Sequence, residues 1–426
     1  MTFEMAANPV KWLCCQLGAR EHYAIPRALF RLRLLDRLVT DAWVPPSSFL
    51  AKLSGSRLAG RFHNELRDAP VVAFNSSLIL FETLARVRHL TDWQKIIARN
   101  RWFQHKVVSY LRSSQLSAVN SQPILLSYSY TALEPFRHAK SRGWKTVLVQ
   151  IDPGPEEERI VAAEAARVPE LADNWQPAPA EYWISWRKEC DLADRIVVNS
   201  KWSQEGLIRS GVATEKLSVI PLACEPPDLG GQKSAAFAQA PAAREFGVAR
   251  VYPVRFTNER PLRVLFLGQV NLRKGTARLL DAARVLRDEP VEFWIVGPVQ
   301  ITNATRVGDA RVKWFGPATQ SQAAEKFQAA DLFILPTLSD GFAITQLEAQ
   351  AHGLPIMAST SCGGVVESGV NGILLEEPSA ACIAAAIRDC IADPNQLQNL
   401  ATASRVANEF TIDALARRLE ELGATL

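Results

Sequence analysis

At 426 residues, with 48% hydrophobic and 22% charged residues, the chain is too long for one ordinary domain and too apolar for disorder. The formal net charge of +4 conceals a division: residues 1–150 hold 21 basic against 9 acidic residues, and the remainder holds 27 against 35. Seven cysteines without a CxxC pair argue against a zinc site or a disulfide frame, no apolar run approaches the roughly 18 residues that span a bilayer, and Met1 to Pro9 lack a signal-peptide pattern, so a cytoplasmic protein with reduced thiols is expected.

In chain order, short apolar runs predict strands over Val10–Gln16, Val71–Phe74, Pro123–Tyr128, Lys145–Ile151, Arg195–Asn199 and Leu217–Pro221. Helical spacing between them appears over His22–Arg37, Trp93–Arg112 and Ser203–Arg209. Glu225 to Pro261, with Pro226-Pro227, Gly230-Gly231 and an Ala/Gln-rich tract, reads as a connection between domains. The alternation then restarts, with strands expected at 263–267, 291–296, 311–315, 332–335, 355–359 and 372–375 and helices between them. Thr411 to Leu426 sets Ile412, Leu415, Leu419 and Leu422 on one helical stripe. The fold class is therefore α/β, with two doubly wound parallel sheets whose ligands sit beyond the carboxyl ends of the strands. The expected division is residues 1–225, a linker over 226–261, a second domain over 262–410 and a closing helix over 411–426.

Two segments carry the chemistry. Gly268-Gln269-Val270-Asn271-Leu272-Arg273-Lys274-Gly275 follows an apolar strand and precedes a helix. A glycine turn with adjacent Arg and Lys suits a diphosphate, Lys as a point charge and Arg as a bidentate fork. It is not a Walker A loop, because the spacing differs and no Ser or Thr follows the Lys. The second segment runs from Ser339 to Pro355, with Asp340, Gly341 and Glu348 in it. The N–H groups of Phe342, Ala343 and Ile344 are expected to be unpaired at a helix start, an arrangement that favours phosphate. Glu348 lies where an acid accepts hydrogen bonds from sugar or ribose hydroxyls.

Together these segments resemble the retaining nucleotide-sugar glycosyltransferases of family 4, which have the GT-B fold of two Rossmann-like domains facing a central cleft. The resemblance covers most of the chain. It rests on Gly268 to Gly275, on Asp340 and Glu348 separated by seven residues, on Gly363-Gly364-Val365-Val366-Glu367 with Asn371-Gly372, and on Ala193 to Ser200 with Lys216 to Pro221. Three departures stand out. Asp340 replaces the usual Glu, Gln269 replaces a common Arg, and no His follows the strand ending near Gln150-Ile151-Asp152.

The resemblance implies transfer of a sugar from a nucleoside-diphosphate sugar to a glycan, lipid-linked or small-molecule acceptor, with the donor as substrate and no cofactor. Asp340 would approach the transferring sugar, and Lys274 and Arg273 would neutralise the leaving diphosphate. Gly268, Gln269, Gly316, Gly341, Phe342, Ala343, Ile344 and Glu348 would form the donor site. Asp152, at a strand end, suits a base or an acceptor-orienting group, or a plain turn residue before Pro153. Gly18 and His22 are the acceptor-side candidates, with a capping role the alternative for His22. The absence of an Asp-x-Asp motif makes metal-independent transfer the expectation. A non-catalytic nucleotide-sugar-binding protein and a sugar-nucleotide epimerase of the same architecture remain alternatives.

The basic excess gathers at Arg27, Arg31, Arg33 and Arg37 and again from Arg86 to Arg112, interleaved with Trp93, Trp102, Phe103 and Tyr110. This suits peripheral contact with an anionic membrane at the inner face, or an anionic lipid-linked acceptor. A solvated helix face with inward aromatics is the plain alternative. Nucleic acid shares this charge signature but is not expected as a partner.

Overall fold

The structure is a computed structural model that describes residues 10–48, 60–114, 122–225, 250–303 and 311–426. Positions 1–9 and most of the expected linker, 226–249, lie outside the described residues.

Seven strands form the first sheet: β1 (Trp12–Gln16), β2 (Leu35–Thr40), β3 (Val71–Ala73), β4 (Ile124–Tyr128), β5 (Lys145–Gln150), β6 (Arg195–Val198) and β7 (Leu217–Val219). Their order is β3-β2-β1-β4-β5-β6-β7, and every pairing is parallel. Six more form the second: β8 (Leu262–Leu267), β9 (Val291–Val296), β10 (Val312–Gly316), β11 (Leu332–Leu335), β12 (Ile356–Ser359) and β13 (Gly372–Leu375). They lie in the order β10-β9-β8-β11-β12-β13, again all parallel. Both sheets switch direction beside their first strand, which opens a crevice at the carboxyl ends of β1 and β4 and of β8 and β11. These are the two doubly wound sheets that the alternating pattern predicts.

A central parallel strand must bury both faces, and β1 does so with all five residues. Cys14 packs into one layer with Tyr23 and Leu29, while Cys15 packs into the other with Phe103 and Leu148. Both thiols are buried and unpaired.

One element differs from the sequence reading. His22–Arg37 is not a single helix: the helix spans Ala24–Arg31, and β2 begins at Leu35. The Arg residues read as a free basic cluster are largely engaged. Arg27 pairs with Glu65 at 2.7 Å and with Glu225, Arg31 pairs with Asp413 at 2.8 Å as well as with Glu65 and Glu225, and Arg37 donates to the Tyr110 hydroxyl at 2.6 Å. In the second cluster Lys95 meets Glu82 and Arg99 meets Asp41, each at 2.9 Å, and Arg101 meets Glu181 at 2.8 Å.

The last helix, Ile412–Ala424, lies on the first sheet's layer and not on the second. Its stripe of Ile412, Leu415, Leu419 and Leu422 is buried against Trp12, Tyr23, Ala28 and Leu29. In the other direction, Val161, Ala165, Val168 and Leu171 of the first half join the core of the second sheet. The two halves are thereby laced together from both sides.

Candidate active site

The Gly268–Gly275 turn leaves β8 and closes a short 3-10 turn over Leu272–Lys274, capped by the Asn271 side chain accepting from Lys274 N–H at 3.0 Å. Gly275 ends it at φ +70°, where an added Cβ would lie 1.8 Å from the Pro336 carbonyl oxygen, so only glycine fits. That fit presses the turn against the end of β11 and delivers Arg273 and Lys274 to the next loop. There Lys274 Nζ bonds Asp340 Oδ2, and the Arg273 guanidinium lies 3.1 Å from Asp340 Oδ1. Burial works to raise the Asp340 pKa, but Lys274 and Arg273 outweigh it and hold the carboxyl down at about 2.

Glu157, at the start of the helix Pro155–Arg167 in the first half, also faces this cluster. Its carboxylate is 3.6 Å from Arg273 and accepts from Ser339 Oγ at 3.2 Å. Burial pushes Glu157 up to about 8; Arg273 pulls it down, and Asp152 and Asp340 push it further up. Trp202 of the first half donates its indole N–H to Ser339 Oγ at 3.2 Å. Beside these contacts a Cβ on Gly341 would sit 2.2 Å from the Ile151 carbonyl oxygen, so the loop meets the first half backbone to backbone.

Glu348 lies on the short helix Thr345–Ala351 and is half-buried. It has no hydrogen-bond or ion-pair partner among the described residues, and burial raises its pKa. The Cys224 thiol is its neighbour, and an unpartnered, half-buried carboxylate is able to accept a hydrogen bond.

The N–H groups differ from expectation in part. Ala343 N–H is taken by the Cys362 carbonyl at 3.3 Å, because the Ser359–Gly363 segment folds over the helix start. The side chain of Phe342 is core, packed on Phe410 with 5.8 Å between ring centroids. Gln269 is exposed, its side-chain oxygen 3.4 Å from the Asn271 amide. Gly316 ends β10 at φ +68°, beside the exposed ring of Phe315.

In the first half, Asp152 is tied down. Its Oδ1 accepts from Tyr130 OH at 2.6 Å, Gln150 Nε2 at 2.8 Å and Gly154 N–H at 2.9 Å. Gly18 follows β1 and donates its N–H to Asp41 at 2.9 Å. His22 is not brought to Asp152: it lies in a left-handed turn with Glu21 and Tyr23, near Arg27 and His63, and burial with the Arg27 charge lowers its pKa. Arg20 instead lines the same cavity as Asp152, together with Tyr130 and Tyr182. Sequence reasoning missed Glu157 and Trp202, and gave Ser339 and Arg20 no role of their own within the segments it singled out.

Comparison with known proteins bears on the fold and on the second half of the chain. Residues 261–393 match the family described as Glycosyl transferases group 1. A D-inositol 3-phosphate glycosyltransferase of Thermobispora bispora is 29% identical over 284 residues, covering 59% of this chain and 60% of that protein. The amylovoran biosynthesis glycosyltransferase AmsK of Erwinia amylovora is 26% identical over 53% of this chain and 55% of its own. The chain thus spans about 60% or less of the length of these curated relatives. Among solved structures, Anabaena HepE in complex with UDP and glucose superposes with a TM-score of 0.60 at 16% identity, covering 98% of this chain and 100% of that one. Sucrose-phosphate synthase from Thermosynechococcus elongatus gives 0.62 at 16% identity, covering 98% of each. The chain has the GT-B fold, and its second half is similar to the group 1 glycosyl transferases.

Proposed function

We propose that the protein is a retaining glycosyltransferase that moves a sugar from a nucleoside-diphosphate sugar to a glycan, lipid-linked or small-molecule acceptor. One observation carries this reading: Lys274 and Arg273 converge on Asp340 at the carboxyl ends of β8 and β11, and the helix after that loop carries Glu348, unpartnered among the described residues. A diphosphate entering the turn competes with Asp340 for both cations. Asp340, released, then faces the hydroxyls of the transferring sugar. Negative charge grows on the diphosphate as the sugar departs, and two fixed cations lower that barrier. Glu348 accepts from the ribose hydroxyls. The backbone approach of Gly341 to Ile151 closes the crevice and keeps water from the donor. Attack from the face the diphosphate leaves gives retention.

The working division assigns residues 1–225 to the acceptor side, 226–261 to the connection, 262–410 to the donor side and 411–426 to the closing helix. The donor side is supported by the match over 261–393, and UDP as its nucleotide by the UDP-bound neighbour. Transfer needs no divalent metal on this account, since Lys274 and Arg273 stand where the leaving charge develops. The non-catalytic reading draws on the same ion pairs, which already neutralise the cations. Acceptor-dependent release of nucleoside diphosphate in EDTA decides between them, and an anomeric-proton NMR signal of the product tests retention. Turnover that vanishes in EDTA and returns with magnesium contradicts the metal-independent mechanism.

The protein works in the cytoplasm on this reading, at the membrane's inner face. The helix Asn75–Val87 supports the contact, exposing Ile79, Leu80, Leu84 and Val87 beside the exposed Arg86 and Arg88. Co-sedimentation with vesicles rich in anionic lipid, lost in Leu80→Glu, is the expected result.

A further inference from the structure

A second cavity, of about 140 Å³, opens in the first half where β1, β4 and β5 end. It is lined by groups the donor site does not use, among them Arg20, Asn100, Ser129, Tyr130, Asp152 and Tyr182. Tyr130 and Tyr182 stack with 4.6 Å between ring centroids and 19° between planes, giving the cavity an aromatic wall. Tyr130 holds a left-handed backbone at φ +72°, unusual for a residue with a side chain. The loop is kept there by the buried Glu189, which accepts from the N–H groups of Tyr130 at 2.7 Å, Ala132 at 2.9 Å and Leu133 at 3.1 Å. A strained, overdetermined loop of this kind is the sort found at ligand sites.

Several polar atoms in this lining lack partners among the described residues. Ser129 is 2% exposed and its Oγ has no hydrogen bond. Nε of Arg20 is likewise buried and unbonded, the guanidinium resting 5.7 Å from the centre of the Tyr128 ring. The Asn100 amide makes no hydrogen bond among the described residues, and only Oδ1 of Asp152 is occupied. Leaving Ser129 Oγ and Arg20 Nε buried and unsatisfied costs stability unless a ligand completes them.

We propose that this cavity is the acceptor subsite, and that it takes an uncharged hexopyranose ring rather than a phosphorylated polyol; the inference rests on the transferase reading above. Mixed chemistry decides the class. A sugar hydroxyl both donates and accepts, so one ring satisfies Asp152 Oδ2 as acceptor, Arg20 and Asn100 as donors and Ser129 as either. Its apolar C–H face packs on the tyrosine wall. A phosphate finds one guanidinium in the lining itself, with the Asp152 carboxylate in the same lining and the Glu21 carboxyl next in sequence to Arg20. The cavity holds one ring, not a chain of them, which leaves the next residue of a glycan outside. Asp152 also acts electrostatically on Glu157 and Arg273, so the subsite abuts the donor cluster.

Saturation-transfer difference NMR on the full chain with excess UDP tests this. The probes are methyl α-D-gluco-, galacto- and mannopyranoside, with D-inositol 3-phosphate as competitor. At least one glycoside should show ring-proton saturation, weakened by about tenfold in affinity in Asn100→Ala and Tyr182→Ala, of which the former is a half-exposed position that leaves the core intact. Inositol phosphate should not displace it. The inference is overturned by silence from all three glycosides, by signals unchanged in both variants, or by displacement with inositol phosphate. Thermal stabilisation by UDP, measured in the same samples, separates the failures. If it persists while glycosides stay silent, only the subsite falls; if it too is missing for UDP, GDP and ADP, the transferase reading falls.

Discussion

Glu157 stands between one cation, Arg273, and two other carboxylates, and its protonation should contribute to the pH dependence of stability across the neutral range. Its folded pKa is raised to about 8 by burial, so the folded state retains a proton that the unfolded chain releases near its ordinary value. Stability from this group is therefore full below about pH 4.5 and falls as pH rises toward 8, by up to about 1.4 kcal/mol per unit. Burial also raises Glu189 to about 8 and Glu21 to about 7, so Glu157→Gln should remove only its own share of that slope, and urea unfolding at pH 5 and pH 8 should differ less in the variant than in the parent. Equal slopes in the two proteins would contradict it. Asp340 has the opposite sign: held at about 2, it contributes stability above its unfolded value that is lost as pH falls through the acid range. Glu157 carries no mark in the sequence. It is the middle of Glu156-Glu157-Glu158 behind Pro155, the ordinary composition of a solvated helix start. Lys274, Arg273 and Asp340 stood out because two glycine-bounded segments together resemble a known family, and the structure brings these three side chains into contact; Glu348, singled out in the same way, makes no such contact.

At the scale of elements, the parallel strands were readable because burial on both faces gives continuous apolar runs. β2 was not, because Asp36 and Arg37 interrupt Leu35-Asp36-Arg37-Leu38-Val39-Thr40 and both are only half-buried. The first-half cavity was also illegible: Arg20, Ser129 and Asp152 come from three separate strand ends that only the sheet order brings together. The loop of Gly341 is one of the elements that join the halves, and the one that does so backbone to backbone. Gly341→Ala places a Cβ where the Ile151 carbonyl stands, so the cleft should be held open while each half stays folded. Expected are a larger radius of gyration by small-angle scattering and a fall in kcat/KM of about 10²-fold, the scale for a displacement near 1 Å. Unchanged scattering and turnover would show that the contact plays no part in closure. Gly275→Ala, at φ +70° and against the Pro336 carbonyl, should instead destabilise the second half by more than about 1 kcal/mol in denaturant titration.

The molecule as a whole is held by exchanged elements. The helix Ile412–Ala424 follows the second sheet in sequence yet completes the first half's core, and Arg31 bonds both Glu225 and Asp413, the residues at the two chain crossings. Leu419 is fully buried there, so Leu419→Ala should cost about 2–5 kcal/mol and lower the unfolding temperature of the first half more than that of the second. The central claim concerns the cleft between the halves, where a nucleoside diphosphate would meet Lys274, Arg273 and Glu348. Thermal unfolding of the full chain against UDP, GDP and ADP tests it most directly. A nucleotide at about 100 times its dissociation constant should stabilise the protein by roughly 2.7 kcal/mol. The account predicts such a shift with one diphosphate, absent in Lys274→Ala and in Glu348→Ala. A folded protein that responds to none of them, or whose response survives both substitutions, would contradict it.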